Sequence, residues 1–394
     1  MSTPASSRKP VPMLDLKRQY ATIRHDVLQA IEKVCESQSL ILGEEVAAFE
    51  REAAAFTGAA ECVACASGTD ALWLCLEASG VQPGDSFITA AFTFFASASS
   101  IVRCGGRPVF ADIDPATFNL SPRATAEVIE RQRFASLKGV MPIHLYGQCA
   151  EMDAFSRLAG EHHLSIVEDA AQAFGATWEG RPAGSLGRAA AFSFYPTKNL
   201  SAFGDAGCAT TGDAELAGHI RRLRNHGSAR RYYHEEIGWN SRMDAIQGAV
   251  LRIKLRHIKS WNDSRHRIAD RYDELLQRAG LTGKRGASVT VSKSAPIQLP
   301  ATDERAHHIF HQYVVRAHRR DELREFLSER QIGSEVYYPV PLHLQQAFAY
   351  LGYKAGDLPE TERACREVLA LPIFPELSDE EQQTVVGAIS EFYG

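Results

Sequence analysis

From residue 60 to residue 212 the apolar and polar positions switch period repeatedly. Short apolar runs without strict alternation stand at "CVACAS" (62–67), "SFITA" (86–90), "RPVFADI" (107–113), "GVMPIHL" (139–145), "LSIVEDA" (164–170), "AAFSF" (190–194) and "CATTG" (208–212). Between them lie stretches of helical period, namely "TDALWLCLEAS" (69–79), "FFASASSIVRC" (94–104), "SPRATAEVIERQ" (121–132) and residues 151–163. The first kind reads as strands buried on both faces, the second as amphipathic helices. Ser121 followed by Pro122 supplies an N-cap and a first-turn proline. Strands alternating with helices predict a mostly parallel sheet covered on both sides. A long helical pattern then runs from Met243 to about Ala279, after which the chain changes character. "IQLP" (297–300) and "FHQYVVRAH" (310–318) are strand-like, whereas "RDELREFLSERQ" (320–331) and "SDEEQQTVVGAISEFY" (378–393) are helical. The expected organisation is a disordered start over 1–12, a large α/β domain over 13–262 and a smaller α+β domain over 263–394.

Composition narrows the function class. The 394 residues are 45% hydrophobic and 23% charged, ample for a large core, and the net charge is -5. No basic stripe points to nucleic acid. No apolar run is long enough to span a bilayer, and "MSTPASSRKP" lacks the apolar region of a signal peptide, so a cytoplasmic location is expected. Cys62 and Cys65 form a C-x-x-C spacing, but positions three apart on a strand face opposite sides, which predicts buried packing and no shared metal. No G-x-G-x-x-G opens a helix after a strand, which removes support for a dinucleotide fold.

In an open α/β sheet, ligands bind beyond the carboxyl ends of the strands. Four kinds of group collect at those ends. Ser67-Gly68-Thr69 ends one strand at a helix N-terminus, where backbone N–H groups and the helix dipole favour an anion. Phe94 follows another strand. Glu168 and Asp169 end a third, where a buried carboxylate needs a partner: a cap, an internal ion pair or a cationic ligand atom. Lys198 follows Ser193 between aromatic and glycine-rich flanks, so its amine is expected in a partly dry cleft that lowers its pKa and makes it nucleophilic. An anion cradle, an aromatic face, a carboxylate and an amine together suit pyridoxal 5'-phosphate.

The order of these motifs resembles the DegT/DnrJ/StrS family of nucleotide-sugar aminotransferases, which have the aspartate-aminotransferase-like fold (type I). "SGTDAL", "TFFA", "HLYGQ", "EDAAQ", "SFYPTKNL", "GDAG", "NHG" and "NSR" stand in the family's sequence between "LDLKRQY" and "LPIFPEL". The resemblance implies that Lys198 links covalently to the cofactor's aldehyde carbon and that Asp169 pairs with the pyridine nitrogen. Gln172 would bond the phenolic oxygen, Phe94 would stack on the ring, and Gly68, Thr69 and Ser193 would hold the phosphate. Asn240 would reach the phosphate from a partner subunit, with Arg242 nearby for a carboxylate, which implies a homodimer with shared active sites. Arg230 and Arg231 in "NHGSARRYYHE" are candidates for the substrate diphosphate, and Tyr337 and Tyr338 for the sugar pocket.

Three positions depart from the pattern: Ser201 where glycine is common, Phe174 where histidine is frequent, and Tyr337 where histidine is frequent. The resemblance implies transfer of the amino group of L-glutamate to a keto group of a nucleotide-linked sugar, with a dTDP- or UDP-linked 3-keto sugar favoured. C-4 amination, amination of an aminocyclitol ketone, and a non-catalytic regulator or binding protein of the same fold are the alternatives. Lys198 stands where dehydratase relatives carry histidine, which argues against that chemistry.

Overall fold

The structure is a computed structural model that describes residues 9–283 and 290–394. Two helices come first, α1 (Leu16–Ser37) and α2 (Gly43–Thr57). The alternating region follows as β1 (Glu61–Cys65), α3 (Gly68–Ala78), β2 (Ser86–Ala90), α4 (Phe95–Arg103), β3 (Arg107–Ala111), α5 (Pro122–Arg131), β4 (Leu137–Met141), α6 (Met152–His162) and β5 (Ser165–Asp169). Two short strands, β6 (Thr177–Trp178) and β7 (Arg181–Pro182), precede β8 (Ala189–Ser193), β9 (Gly207–Thr211) and α7 (Ala214–Leu223). Next come α8 (Ala245–Leu255), α9 (Ile258–Arg278), β10 (Ile297–Gln298), β11 (Ala306–His307), β12 (Tyr313–Ala317) and α10 (Arg320–Glu329). The chain closes with α11 (Pro359–Glu367), β13 (Val368–Leu371) and α12 (Asp379–Tyr393).

Seven strands form the main sheet in the order β1-β9-β8-β5-β4-β2-β3, and β9 alone runs against the others. Successive residues of each strand feed opposite cores, which is why the runs do not alternate in sequence. On one face Val63, Cys65, Phe87, Met141 and Val167 pack beneath α3 and α7. On the other, Cys62, Ala64, Ile88, Val140 and Ile166 join the larger core. Cys62 and Cys65 therefore lie on opposite faces, as their spacing predicts. The smaller sheet, β10-β12-β13, is antiparallel. Among the described residues no helix is long and apolar enough to cross a membrane.

One reading needs correction. The helical pattern over 243–279 is two helices, with His257 (φ -105°, ψ -11°) between them. The break lets each half bury its apolar stripe against a different partner: α8 packs on α1 and α2, and α9 packs on α12. The start expected to be disordered is pinned at its end. Val11 is buried, its N–H donates to the Gln331 carbonyl and its carbonyl accepts from Gly333 N. Residues 1–8 of that expectation lie outside the described residues. The expected boundary at 262/263 falls inside α9, whose Asn262 Nδ2 bonds the Phe174 carbonyl (3.1 Å) while Arg265 Nη1 bonds the Ile373 carbonyl (2.9 Å).

Candidate active site

The carboxylate sits deepest. Asp169 ends β5 and is 5% exposed. Its backbone is fixed on both sides, N–H to the Pro142 carbonyl and carbonyl to His144 N–H, each at 2.9 Å. Oδ1 accepts from Ala171 N at 3.2 Å and Oδ2 from Ser97 Oγ at 2.7 Å. Ser97 also lies 2.9 Å from Thr93 Oγ1. Its single hydrogen is committed to the carboxylate, so Thr93 must donate to it. The result is a directed chain, Thr93 to Ser97 to Asp169, built by the first turn of α4.

The anion cradle forms where β1 meets α3. Ser67 caps the helix, its Oγ accepting from Asp70 N at 3.1 Å and its carbonyl from Ala71 N at 2.9 Å. The first-turn N–H groups of Gly68 and Thr69 have no intrahelical acceptor and point out of the helix end. Ser193, at the end of β8, closes the opposite wall. A Cβ on Gly68 would stand 2.4 Å from Ser193 Cβ and 2.9 Å from its Oγ. A Cβ on Gly207 would stand 2.4 Å from the Ser67 carbonyl oxygen. Only glycine backbone fits at both places.

Lys198 lies in a turn closed by its own N–H on the Tyr195 carbonyl (2.8 Å). The side chain is half-buried, and burial pulls the amine from 10.5 to about 8, partly opposed by the negative charge of Asp169. A substantial fraction of the amine is therefore neutral near pH 8. Gln172 is held by Tyr146 N–H on its Oε1 (2.7 Å), and its Nε2 donates to Tyr338 Oη (3.3 Å). Tyr146 Oη in turn donates to the Tyr337 carbonyl, so Tyr337 and Tyr338 are tied to the same group. Burial pushes the Tyr338 hydroxyl well above its ordinary pKa, and it stays protonated. Phe94 is 59% exposed despite its size, tilted at 39° against Tyr338 with centroids 6.4 Å apart. An aromatic face left this open beside a buried carboxylate is shaped for a planar ligand.

The remaining predicted residues are not joined to this cluster within a single chain. Arg230 and Arg231 are exposed and stack on their own neighbours, Tyr233 and Tyr232, at 4.7 and 4.8 Å. Asn240 is exposed and bridges Asn225 through its backbone. Arg242 Nη1 bonds Asn225 Oδ1 at 3.1 Å. The same segment touches the cradle through backbone alone, Ala66 N to the Ser241 carbonyl at 3.1 Å.

Sequence reasoning missed the supports. Ser97 and Tyr146 sit inside quoted motifs but look like helix and loop filler. Glu168 is separated from Asp169 in role as well as in face. Its buried carboxylate accepts from Gly184 N (2.9 Å), Leu186 N (2.8 Å) and Gly187 N (2.7 Å), and lies 2.9 Å from His144 Nε2. Ala150 N donates to His144 Nδ1 (3.1 Å), so Nε2 carries the proton and faces Glu168. The strand-end acid Glu168 is thus satisfied internally, by three backbone N–H groups and a neutral His144 rather than by an ion pair. Among the described residues Asp169 forms no ion pair, and it faces the cleft.

The residues present fit pyridoxal phosphate. A cradle that a Cβ would fill would hold the phosphate, an amine of lowered pKa would be available to the aldehyde, a buried carboxylate would be left for the ring nitrogen, and Phe94 leaves a face free for the ring.

Comparison with known proteins agrees with this geometry. The chain is 47% identical over 384 residues to a "Pleiotropic regulatory protein" of Geobacillus stearothermophilus, covering 97% of this chain and 98% of that one. It is 42% identical over 382 residues to a dTDP-3-amino-3,4,6-trideoxy-alpha-D-glucose transaminase of Streptomyces venezuelae, covering 97% and 96%. The crystal structure of S. venezuelae DesV in complex with a ketimine intermediate superposes with a TM-score of 0.91 at 41% identity, covering 98% of this chain and 99% of that one. The type I fold expected from the motifs is therefore the fold found. Residues 21–390 match one family over nearly the whole chain, and the protein belongs to the DegT/DnrJ/EryC1/StrS aminotransferase family.

Proposed function

We propose that the protein is a pyridoxal-phosphate-dependent aminotransferase that carries the amino group of L-glutamate to the C-3 keto group of a dTDP- or UDP-linked sugar. The observation that carries this reading is the gathering of a half-buried amine at about 8, a buried carboxylate and a glycine-lined anion cradle beyond the ends of β8, β5 and β1. The similarity to a dTDP-3-amino-sugar transaminase supports the choice of C-3. When bound, the cofactor supplies an electron sink for negative charge developing at the carbon that loses its proton.

The chain's own residues do the rest. Gly68, Thr69 and Ser193 bind the phosphate, and Asn240 of a second copy completes that contact. Asp169, oriented by Ser97, presents its carboxylate to the ring nitrogen in a dry setting, where a charge-assisted hydrogen bond is strong. Gln172, oriented by Tyr146, faces the phenolic oxygen. Phe94 covers one ring face and excludes water from it. Lys198 Nζ accepts the proton from glutamate Cα in the first half-reaction and delivers one to sugar C-3 in the second. Arg242 bonds the glutamate carboxylate, Arg230 or Arg231 of a homodimer's second subunit meets the diphosphate, and Tyr337 and Tyr338 border the sugar. The protein works in the cytoplasm, where nucleotide sugars are made.

The test is direct. Purified protein with cofactor, L-glutamate and a dTDP-3-keto sugar should form 2-oxoglutarate and amino sugar in equal amounts, with the nitrogen at C-3 by NMR. Reaction only with a 4-keto sugar or an aminocyclitol ketone overturns the position. The 47% identical regulatory protein motivates a second reading, a binding protein of the same fold. That reading predicts cofactor uptake without 2-oxoglutarate from any of these ketones.

A further inference from the structure

Helix α8 presents Gln247 and Lys254 to the loop that follows Lys198. Seven residues apart, they lie on one helix face, about 10.5 Å along the axis. Gln247 grips the Phe203 backbone from both sides, Oε1 accepting from Phe203 N (2.8 Å) and Nε2 donating to its carbonyl (3.3 Å). Lys254 Nζ donates to Ser201 Oγ at 2.8 Å and lies 4.8 Å from the Phe203 ring centroid. Ser201 is buried and stands where the family resemblance leads one to expect glycine. Its hydroxyl is the atom that Lys254 holds. Ser201 is three residues beyond Lys198, and the loop closes immediately after it, Ala202 N on the Phe194 carbonyl at 2.7 Å.

Lys254 is 3% exposed, and among the described residues no carboxylate pairs with it. Burying an unpaired ammonium costs stability. An apolar residue of similar length would avoid that cost but could not hold Ser201 Oγ. We propose that Lys254 is a positioning residue for Lys198: by holding Ser201 Oγ it fixes the turn that aims the Lys198 amine. The inference rests on the reading of Lys198 as the amine that takes the cofactor.

Four proteins test it: wild type, Lys254→Met, Ser201→Ala and the double variant. Each is stripped of cofactor, mixed with pyridoxal phosphate, and followed by the rise of absorbance near 400–430 nm; melting temperatures are recorded in parallel. Wild type attaches the cofactor fastest. Each single variant attaches it about tenfold more slowly, because a small misplacement of a reacting group is costly. The double variant is no slower than either single one, and Lys254→Met melts no lower than wild type. Attachment at the wild-type rate in Lys254→Met, multiplicative losses in the double variant, or slowing that tracks a fall in melting temperature overturns the proposal. If Lys254→Met does not fold, Ser201→Ala at the wild-type rate overturns it as well. Failure of wild type itself to take up cofactor refutes the proposed function instead.

Discussion

Ser97→Ala is the sharpest perturbation of the site that leaves every group predicted to touch the cofactor in place. Ser97 is fully buried, and its Oγ donates to Asp169 Oδ2 at 2.7 Å. Alanine removes the donor without adding volume, leaving the carboxylate with one hydrogen bond, the 3.2 Å contact from Ala171 N. It also strands the Thr93 hydroxyl, which then points at a methyl group. A hydrogen bond to a charged group contributes about 1.5–3 kcal/mol net. Taking about 2 kcal/mol, the variant should lose that much stability and, where the same bond orients Asp169, about 30-fold in kcat, since each 1.36 kcal/mol is tenfold. The KM for L-glutamate should change little, because Ser97 is not expected to touch the amino acid. The assay is urea denaturation of the cofactor-free protein alongside 2-oxoglutarate formation by the holoenzyme. Thr93→Val adds a control: in one directed chain its effect should shrink when Ser97 is already gone. A Ser97→Ala protein with wild-type stability and kcat within twofold of wild type would refute the chain.

Gly68→Ala places a Cβ 2.4 Å from Ser193 Cβ, so cofactor affinity by equilibrium dialysis should fall at least about 100-fold, a loss expected of close backbone approach. Glu168→Gln turns an NH2 group toward buried N–H donors and should cost about 3–5 kcal/mol by urea denaturation, as breaking a buried charged network does. Burial lowers Lys254 to about 8 from 10.5, so between those values the native state binds fewer protons than the unfolded one. The penalty is complete below pH 8 and is relieved as pH rises toward 10.5. Relative to wild type, Lys254→Met should therefore gain up to about 3 kcal/mol below pH 8, less the lost Ser201 contact, and the gap should close by pH 10.5. A gap that widens with pH contradicts the assignment.

The layered sheet was legible because each run carries its own signature: "SFITA" holds no charged residue and is buried at every position, and its two faces feed two cores. The residues at strand ends were legible because glycine, carboxylate and lysine are unusual there. Supports were not. Nothing in "FASASS" marks Ser97 over Ser99 or Ser100; only the turn of α4 that starts after Phe94 aims it at a carboxylate 72 residues away. Lys254 lies in the last turn of a helix whose pattern is mostly apolar and basic, and its role depends on a contact 53 residues distant. Helices α1 and α2 were not read at all, although Asp15 accepts from Lys17 N and Arg18 N as an N-cap should. Arg230 and Arg231 are exposed and stack on Tyr233 and Tyr232, contacts that local pattern does not foretell.

The account stands or falls on which amine takes the cofactor, because among the described residues two lysines, Lys198 and Lys254, have pKa values drawn to about 8 by burial. Borohydride reduction of the holoprotein, digestion and mass mapping of the phosphopyridoxyl group decides between them. The label should fall on the peptide containing Lys198 and be absent from Lys198→Ala. A label on Lys254 or another lysine, or persistence in Lys198→Ala, would contradict the account.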